Sequence, residues 1–304
     1  MFGNLKGRLL LIVIAVIGLA IYWFSNQKPV GYTDRNQVLT TSIEQENMLG
    51  EQAYLQMLAK EGGNVACTRA DQNCTSAEAE FTQVVREIGN DLRLAAIAYE
   101  NELIAAGKSI TPKAETFDWQ FNVINSSQPN AFCLPGGYVA VYTGILDIIG
   151  NFDGAVTAAD VEDRDKLAVV MGHEIAHALA RHGGERMSQG RIAQIGQIAV
   201  GAAAGDERVM QAFGLAAQTG VLLPFSRQHE SEADKIGLEL LVRACYDPRE
   251  APELWERMGS LGGGEKPPEF MSTHPSSDRR AENFRSWMPD AIAEYERRCG
   301  ALPG

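Results

Sequence analysis

Residues 166–183, KLAVVMGHEIAHALARHG, constrain this chain more than any other segment, because they place His173 and His177 four residues apart in a run without proline. Residues four apart lie on one face of an α-helix, so both imidazole rings can reach one metal ion. Glu174 is turned about 100° from His173 on that helix and can reach a water molecule beside the ion. The pattern predicts a buried helix that carries two ligands and the general base of a zinc hydrolase.

A second segment supplies the carboxylates that such a site needs. A catalytic zinc ion takes three protein ligands and keeps one position for water. In the segment HESEAD, residues 229–234, Glu230 and Asp234 are four residues apart and share one helical face. One carboxylate can bind the metal while the other accepts a hydrogen bond from a ligating imidazole. The residues alone leave three rival third ligands, which are His182, His229 and Glu232.

Two of these rivals fit the pattern less well. His182 would suit the spacing HExxHxxGxxH of another class of zinc protease only if it came one residue later, and Ala180 stands where that pattern needs glycine. We therefore predict that His182 is a surface residue at the end of the metal-binding helix. His229 points about 100° away from Glu230 on its helix, and we predict that it is a polar residue that binds no metal.

Four sequence blocks, in order, carry a resemblance to a known family: residues 130–146 (NAFCLPGGYVAVYTGIL), 169–183 (VVMGHEIAHALARHG), 226–241 (SRQHESEADKIGLELL) and 272–280 (STHPSSDRR). They resemble metallopeptidase family forty-eight, the zinc proteases that include HtpX, the CAAX prenyl endopeptidase and the Oma-type protease. Within that family the chain looks most similar to bacterial periplasmic members of the BepA and LoiP kind. We expect it to lack the tetratricopeptide array of BepA-type members.

The resemblance implies a role for each residue that matches a family motif. Glu230 corresponds to the third zinc ligand, Asp234 to the residue that orients a ligating histidine, and Glu174 to the general base. The HPxxxxR pattern places two more catalytic candidates, His274 and Arg280, near the single zinc ion. There either of them would stabilise the oxyanion of the transition state, or His274 would cap the zinc in a closed state.

The first block resembles the edge-strand region that lines the cleft in this family. Extended peptides often bind proteases by adding a strand to such an edge. The candidate substrate-binding residues in this block are Asn130, Ala131, Phe132, Gly136 and Gly137.

Periodicity and resemblance together predict a mostly helical α+β chain with a zincin-like (gluzincin) catalytic domain. Helical patterns cover residues 43–60 and 75–106. An alternating pattern predicts a strand at 117–124, and short apolar runs predict strands at 131–134 and 138–142. We expect these strands to form a small antiparallel sheet beside the metal-binding helix. The predicted organisation is a membrane anchor (1–28), a linker (29–42), a helical region with a Cys67/Cys74 loop (43–110) and the metallopeptidase domain (111–300).

Residues 9–24, LLLIVIAVIGLAIYWF, are apolar without interruption and follow Lys6 and Arg8. The uncharged stretch 9–27 approaches the roughly 20 residues that a membrane-spanning helix needs. No small-x-small cleavage site follows, so an uncleaved anchor is favoured over a signal peptide. Because basic residues favour the cytoplasmic side, we predict a single-pass protein of the bacterial inner membrane with its catalytic domain in the periplasm. The alternative is a soluble periplasmic protein after signal cleavage.

The charge balance argues against one class of partner. Lys plus Arg number 27 and Asp plus Glu number 39, and the net charge of −12 without a basic stripe does not favour nucleic acid. We expect protein or peptide substrates and contact with a membrane through the N-terminal helix, while the oligomeric state stays open. Cys67 and Cys74 bracket a short polar segment that a disulfide could close. For Cys133, Cys245 and Cys299, isolated thiols are an equally good interpretation.

These observations predict a zinc endopeptidase that cleaves envelope or misfolded proteins with metal-activated water and Glu174 as general base. A Gly-rich segment, residues 259–270, precedes His274, so a second hypothesis is that His274 holds the enzyme latent until this segment moves. The alternative from another class is a membrane-anchored chaperone or assembly factor with little proteolytic activity. A weaker alternative is a zinc hydrolase that acts on a non-peptide bond.

Overall fold

Nine α-helices and five short β-strands form the part of the chain that the computed structural model describes, which is residues 5–60, 76–150, 164–204, 208, 211, 223–261, 274 and 278–302. The helices are α1 (Leu5–Ser25), α2 (Ile43–Lys60), α3 (Ser76–Ala105), α4 (Leu146–Ile149), α5 (Arg164–Leu179), α6 (His182–Ala204), α7 (Leu223–Arg243), α8 (Glu250–Leu261) and α9 (Asp278–Cys299). The strands are β1 (Gln27–Pro29), β2 (Asn36–Val38), β3 (Gln120–Ile124), β4 (Ala131–Leu134) and β5 (Tyr138–Tyr142). This is the mostly helical α+β architecture that the sequence predicts.

A mixed three-stranded sheet with the order β3-β5-β4 lies beside α5. β4 pairs with β5 antiparallel, whereas β5 pairs with β3 parallel, so the prediction of an antiparallel sheet was wrong for the second pair. The path of the chain explains the difference, because β4 runs along the outer edge and a tight turn returns β5 between the other two strands. Gly136 (φ +94°) and Gly137 (φ +92°) form this turn, where the left-handed backbone favours glycine.

Helix α5 lies at the centre of the core. Of its 16 residues, 12 are buried, as expected for a helix that is packed on several sides. It contacts α3, α7, α8 and β4. Phe81 and Leu92 of α3 belong to the same apolar cluster as Val170 and Ile175 of α5, so α3 and the metal-binding helix share one core.

Helices α5 and α7 approach each other closely at Gly172 and Gly237. A Cβ added at Gly237 would lie 3.1 Å from the carbonyl carbon of Gly172 and 3.1 Å from the backbone nitrogen of His173. A Cβ added at Gly172 would lie 3.5 Å from the nearest atom, the carbonyl oxygen of Gly237, which is ordinary contact. The missing side chain at position 237 therefore sets how near the two helices come.

The segment between α1 and α2 is folded onto these helices. β1 and β2 form an antiparallel pair. Val30 is buried against Ala176 of α5 and against Ala233 and Ile236 of α7. Residues 29–42, the predicted linker, therefore take part in the packing of the catalytic helices.

Helix α1 spans 21 residues and packs against α6. Within the described ranges, no helix was found that is both long enough and apolar enough to traverse a membrane. The N-terminal membrane anchor therefore stays a prediction.

A disulfide between Cys245 and Cys299 joins the segment after α7 to the end of α9. The interpretation as isolated thiols therefore fails for this pair, whereas Cys133 is a buried free thiol. The Cys67/Cys74 loop lies outside the described residues, as does most of the Gly-rich segment before His274.

The helices on either side of the cysteine loop are confirmed. Helix α2 has the predicted bounds, and α3 begins and ends within one residue of the predicted 75–106. Helix α7 begins at Leu223 and carries the segment 229–234, which the sequence places on a helix. Helix α9 continues through Pro289.

We expect Gly237→Ala to destabilise the protein by about 1–3 kcal/mol, the usual cost of overpacking, because its Cβ would press on the backbone of α5. Gly172→Ala is the matched control, since it adds the same methyl group where there is room. Its stability should be unchanged or raised by about 0.5–1 kcal/mol, because alanine favours helix more than glycine does. Urea unfolding with a chelator present measures both variants. Equal stabilities would contradict the close approach at Gly237.

Candidate metal centre

Four side chains converge at one point beside α5. His173 and His177 come from α5, Glu230 from α7, and His274 from the segment before α9. His173 Nε2 lies 3.1 Å from His177 Nε2 and 3.3 Å from Glu230 Oε2. His177 Nε2 lies 3.5 Å from Glu230 Oε1. The spacing of four residues puts both rings on the side of α5 that α7 covers.

The size of this group fits a zinc ion. His274 Nδ1 lies 3.1 Å from Glu230 Oε2 and 3.3 Å from His173 Nε2, and all four donor atoms lie within 4.8 Å of one another. Zinc binds imidazole nitrogen and carboxylate oxygen at about 2.0–2.2 Å, and a tetrahedron with such bonds has edges of about 3.3–3.6 Å. The observed separations of 3.1–3.5 Å are close to these edges, although His177 faces one oxygen of Glu230 while His173 and His274 face the other. Three nitrogens and one carboxylate are therefore close enough to share one ion.

The hydrogen-bonding capacity of His173 also indicates a cation. Its Nδ1 lies 3.0 Å from Asp234 Oδ1, and a carboxylate only accepts, so the proton belongs on Nδ1. The Nε2 lone pair then faces the other three donor atoms of the group. Burial lowers the pKa of His173, but Asp234 and Glu230 outweigh burial and raise the pKa to about 9. A positive charge is therefore favoured at this position.

The other two predicted ligands have charges that suit metal binding. Burial raises the pKa of Glu230, but His177, His173 and His274 outweigh burial and hold that pKa well below its usual range. Burial holds the pKa of His177 well below its usual range, which leaves the ring neutral. Metal ligands must be a deprotonated carboxylate or a neutral imidazole, so both residues meet this requirement.

Arg280 lies behind Glu230 and not in the cleft. Its Nε and Nη2 donate to Asp234 Oδ2 and Oδ1 at 2.7 and 2.6 Å, and its Nη1 lies 3.3 Å from Glu230 Oε2. The guanidinium also stacks on Trp255 at 3.6 Å from the ring centroid. Nε and Nη2 are engaged by Asp234, whereas Nη1 is buried and makes no hydrogen bond among the described residues. The geometry supports a role in holding Asp234 and Glu230, and the contact with an oxyanion stays a prediction.

Glu174 lines the cleft next to the four converging side chains. It is buried, and its Oε1 has no hydrogen-bond partner among the described residues. His274 Nε2 lies 3.5 Å from this oxygen. Burial raises the pKa of Glu174, while His274 and His173 oppose that shift. The structure therefore places a carboxylate of raised basicity where the sequence predicts a general base.

The cleft has a volume of about 170 Å³ and one wall from the predicted substrate-binding block. That wall consists of Cys133, Leu134 and Pro135, which the sequence analysis did not single out. Their position at the end of an edge strand, beside the HExxH helix, is the sequence signal that could have predicted their place in the cleft. The rest of the lining includes Glu174, His177, Arg186 and His274.

The five residues predicted to bind substrate lie next to this wall and do not line the described part of the cleft. Phe132 turns its ring towards Tyr54 and Tyr142. Asn130 is buried, and its Oδ1 accepts a hydrogen bond from the backbone N–H of Ala131. Gly136 and Gly137 form the β4–β5 turn. In this block, the residues nearest the metal group are therefore those at 133–135.

The prediction that His182 lies on the surface was wrong, because its side chain is 2% exposed. Its Nδ1 lies 2.8 Å from His177 Nδ1, and its Nε2 lies 2.9 Å from Glu232 Oε2. Burial lowers the pKa of His182 to about 4. Burial raises the pKa of Glu232, but His182 and Arg35 outweigh burial and lower that pKa to about 2.

The remaining rival ligand, His229, lines the cleft, as His182 does, but is not one of the converging donors. His229 is buried and its Nε2 lies 2.9 Å from Glu185 Oε2. Its ring stacks on that of His182 with centroids 4.4 Å apart. His229, His182 and Glu232 therefore form a polar cluster behind His177, outside the set of donor atoms that converge.

Comparison with known proteins agrees with this geometry. Residues 97–288 match Peptidase family M48. The chain is 32% identical to the mitochondrial metalloendopeptidase OMA1 of Schizosaccharomyces pombe over 282 residues, which cover 92% of this chain and 72% of that protein. It is 39% identical to OMA1 of Saccharomyces cerevisiae over 59% of this chain and 49% of that protein. It is 32% identical to the β-barrel assembly-enhancing protease of Escherichia coli over 55% of this chain and 34% of that protein.

These comparisons correct two expectations. The likeness to the Schizosaccharomyces pombe enzyme extends over 92% of the chain and that to the Escherichia coli protease over 55%, so a special likeness to bacterial periplasmic members is not confirmed. The predicted location in the bacterial inner membrane and periplasm is contradicted, because six related proteins with the OMA1 name are described as mitochondrial. Basic residues before an apolar segment indicate a membrane anchor but do not say whether the membrane is bacterial or mitochondrial. The sequence pattern could therefore not distinguish these two locations.

We expect Glu230→Ala to weaken zinc binding strongly. Loss of a residue that only hydrogen-bonds to a metal ligand usually lowers metal affinity by about 10–100-fold, and loss of a ligand itself should lower it further. Glu239→Ala is the matched control, because it removes a carboxylate from the same helix where that carboxylate pairs with Arg243 instead. Competition with a chromogenic chelator measures both affinities. Zinc affinity that Glu230→Ala leaves unchanged would move the third ligand elsewhere.

Proposed function

This chain belongs to peptidase family M48, and from that premise we propose that it is a zinc-dependent endopeptidase that hydrolyses peptide bonds within protein substrates. The observation that carries the proposal is the group formed by His173, His177 and Glu230, with Glu174 beside it in the cleft. Family membership supports a metallopeptidase. The choice of zinc follows from the donor set, since two or three imidazoles and one carboxylate suit that ion.

In the proposed enzyme His173, His177 and Glu230 hold the zinc ion. Bound zinc would supply a Lewis acid that polarises the scissile carbonyl and makes water more acidic. Asp234 holds the ring of His173, and Arg280 holds Asp234 and Glu230 by the contacts described above. The chain thus orients two of the three ligands through buried charged partners.

Glu174 is the proposed general base. It would accept the proton of the attacking water on a carboxylate oxygen and then pass that proton to the leaving amine. Two features support this role: the side chain lines the cleft, and burial raises its pKa towards the operating range of a base. Attack by water gives no covalent intermediate with the enzyme.

We infer that the substrate is an extended chain segment laid along β4. Among the described strands, β4 pairs with β5 alone, so it can accept a further strand on its outer side. Asn130, Ala131 and Phe132 would contribute backbone groups to this edge. A cleft of about 170 Å³ admits an extended segment more readily than a folded one, which supports misfolded or unstructured proteins as substrates.

We also propose that His274 keeps the enzyme latent. Its Nδ1 stands 3.1 Å from Glu230 and 3.3 Å from His173, at the separation of a fourth ligand. With His274 there, the protein would supply all four donors of a tetrahedral ion. The position that substrate and water need would then open only when His274 moves away. The same closed arrangement is compatible with the alternative function, that of an assembly factor with little proteolytic activity.

We expect Glu174→Gln to keep zinc and to lower casein cleavage by at least about 100-fold, the lower end of what a general base contributes. Glu256→Gln is the control for a lost carboxylate, because that residue lies on the exposed side of α8 and pairs with Arg285. Zinc content by mass spectrometry and cleavage with and without chelator are measured together. Unchanged proteolysis in Glu174→Gln, or a zinc-loaded native protein that cleaves nothing, would contradict the endopeptidase.

We expect His274→Ala to raise basal casein cleavage several-fold, because three ligands would still hold the ion and the fourth position would open. The double variant Glu174→Gln/His274→Ala is the control and should be inactive, which shows that the added cleavage comes from this site. A fall in cleavage with zinc retained would assign His274 to the transition state and would contradict latency.

A further inference from the structure

A buried polar chain behind His177 has no part in the proposed reaction. It runs from His177 Nδ1 to His182 Nδ1 over 2.8 Å, and from His182 Nε2 to Glu232 Oε2 over 2.9 Å. Arg35 Nε then donates to the same Glu232 oxygen over 2.8 Å. The side chains of His182 and Glu232 are 2% and 4% exposed, so solvent does not compete for these contacts.

The position of each proton in this chain follows from the donors around Glu232. Arg35 and the hydroxyl of Thr33 both donate to that carboxylate, which therefore acts as an acceptor. His182 must then carry its proton on Nε2, and a neutral imidazole with that proton accepts at Nδ1. His177 in turn must donate from its Nδ1. Its Nε2 is left with a free lone pair, directed at His173 and Glu230.

We propose that His182 and Glu232 are positioning residues that fix His177 in its metal-binding tautomer. The opposite arrangement, with a proton on His182 Nδ1, would place the proton of His177 on Nε2 and block the metal. His173 has a carboxylate directly behind it, whereas His177 reaches its carboxylate through a second imidazole. Partners of this kind fix ring orientation and tautomer in metal sites. The inference rests on the metal site of the proposed function and does not depend on peptide cleavage.

The segment after α1 holds this series of hydrogen-bonded side chains in place. Arg35 Nη2 lies 2.7 Å from Glu232 Oε2 and also 2.7 Å from Glu185 Oε2. Thr33 adds its hydroxyl to the other oxygen of Glu232. The carboxylate that orients His182 is therefore itself held from two sides by residues 33–35. These residues thus belong to the support of the metal site, although they lie far from it in sequence.

The test compares His182→Leu with His182→Gln by zinc affinity, measured by chelator competition. Leucine cannot accept from His177, so zinc affinity should fall by about 10–100-fold. The glutamine amide offers an oxygen to His177 and an N–H to Glu232, so His182→Gln should stay close to the native affinity. The visible spectrum of the cobalt-loaded protein should change in the leucine variant and match the native one in the glutamine variant.

Glu100→Gln is the matched control, because Glu100 is a buried carboxylate that binds Tyr32 of the same N-terminal segment without contacting His182. It should keep native zinc affinity even if its melting temperature falls.

If His182→Leu does not fold, the comparison of Glu232→Leu with Glu232→Gln provides the same contrast, since glutamine keeps the acceptor oxygen. Native affinity in the leucine variants, or equal loss in the leucine and glutamine variants, would overturn the proposal. A native protein that binds zinc in this way but cleaves nothing would refute only the endopeptidase.

Discussion

The close approach of α5 and α7 at Gly172 and Gly237 is the contact on which the site depends. One helix carries His173 and His177, and the other carries Glu230 and Asp234. Gly237 lets the two backbones come this close, because a Cβ there would lie 3.1 Å from the backbone of α5. The sheet, α3 and α8 also pack against α5, so contacts of the core hold this helix in addition to those of the metal group.

The buried carboxylates between α5 and α7 determine which charge the site can bind. Three carboxylates, those of Glu174, Glu230 and Asp234, lie within the same buried region, and Arg280 is the cation that faces two of them. Burial of unpaired charge is costly, which favours a second cation among the imidazoles. The raised pKa of His173 reflects the same demand. A divalent ion bound here would supply the positive charge that these buried carboxylates require. Without the ion, protons on the imidazoles would have to supply that charge.

The sequence identified the donor residues because their spacing is local. His173 and His177, and likewise Glu230 and Asp234, are pairs four apart on single helices, where periodicity fixes the direction of each side chain. His182 was misplaced because its direction depends on Arg181, whose φ of +58° breaks the helix between α5 and α6. The side chain of Arg181 is held by Glu46 of α2, a contact far away in sequence. The parallel pairing of β3 with β5 and the place of Arg280 behind Glu230 depend on similar long-range contacts.

Diffraction at the zinc absorption edge from crystals of the zinc-loaded protein tests the central claim most directly. The account predicts one strong anomalous peak at about 2.0–2.2 Å from His173 Nε2, His177 Nε2 and a carboxylate oxygen of Glu230. A peak centred among His182, His229 and Glu232, or no peak in a protein that has retained its fold, would contradict it.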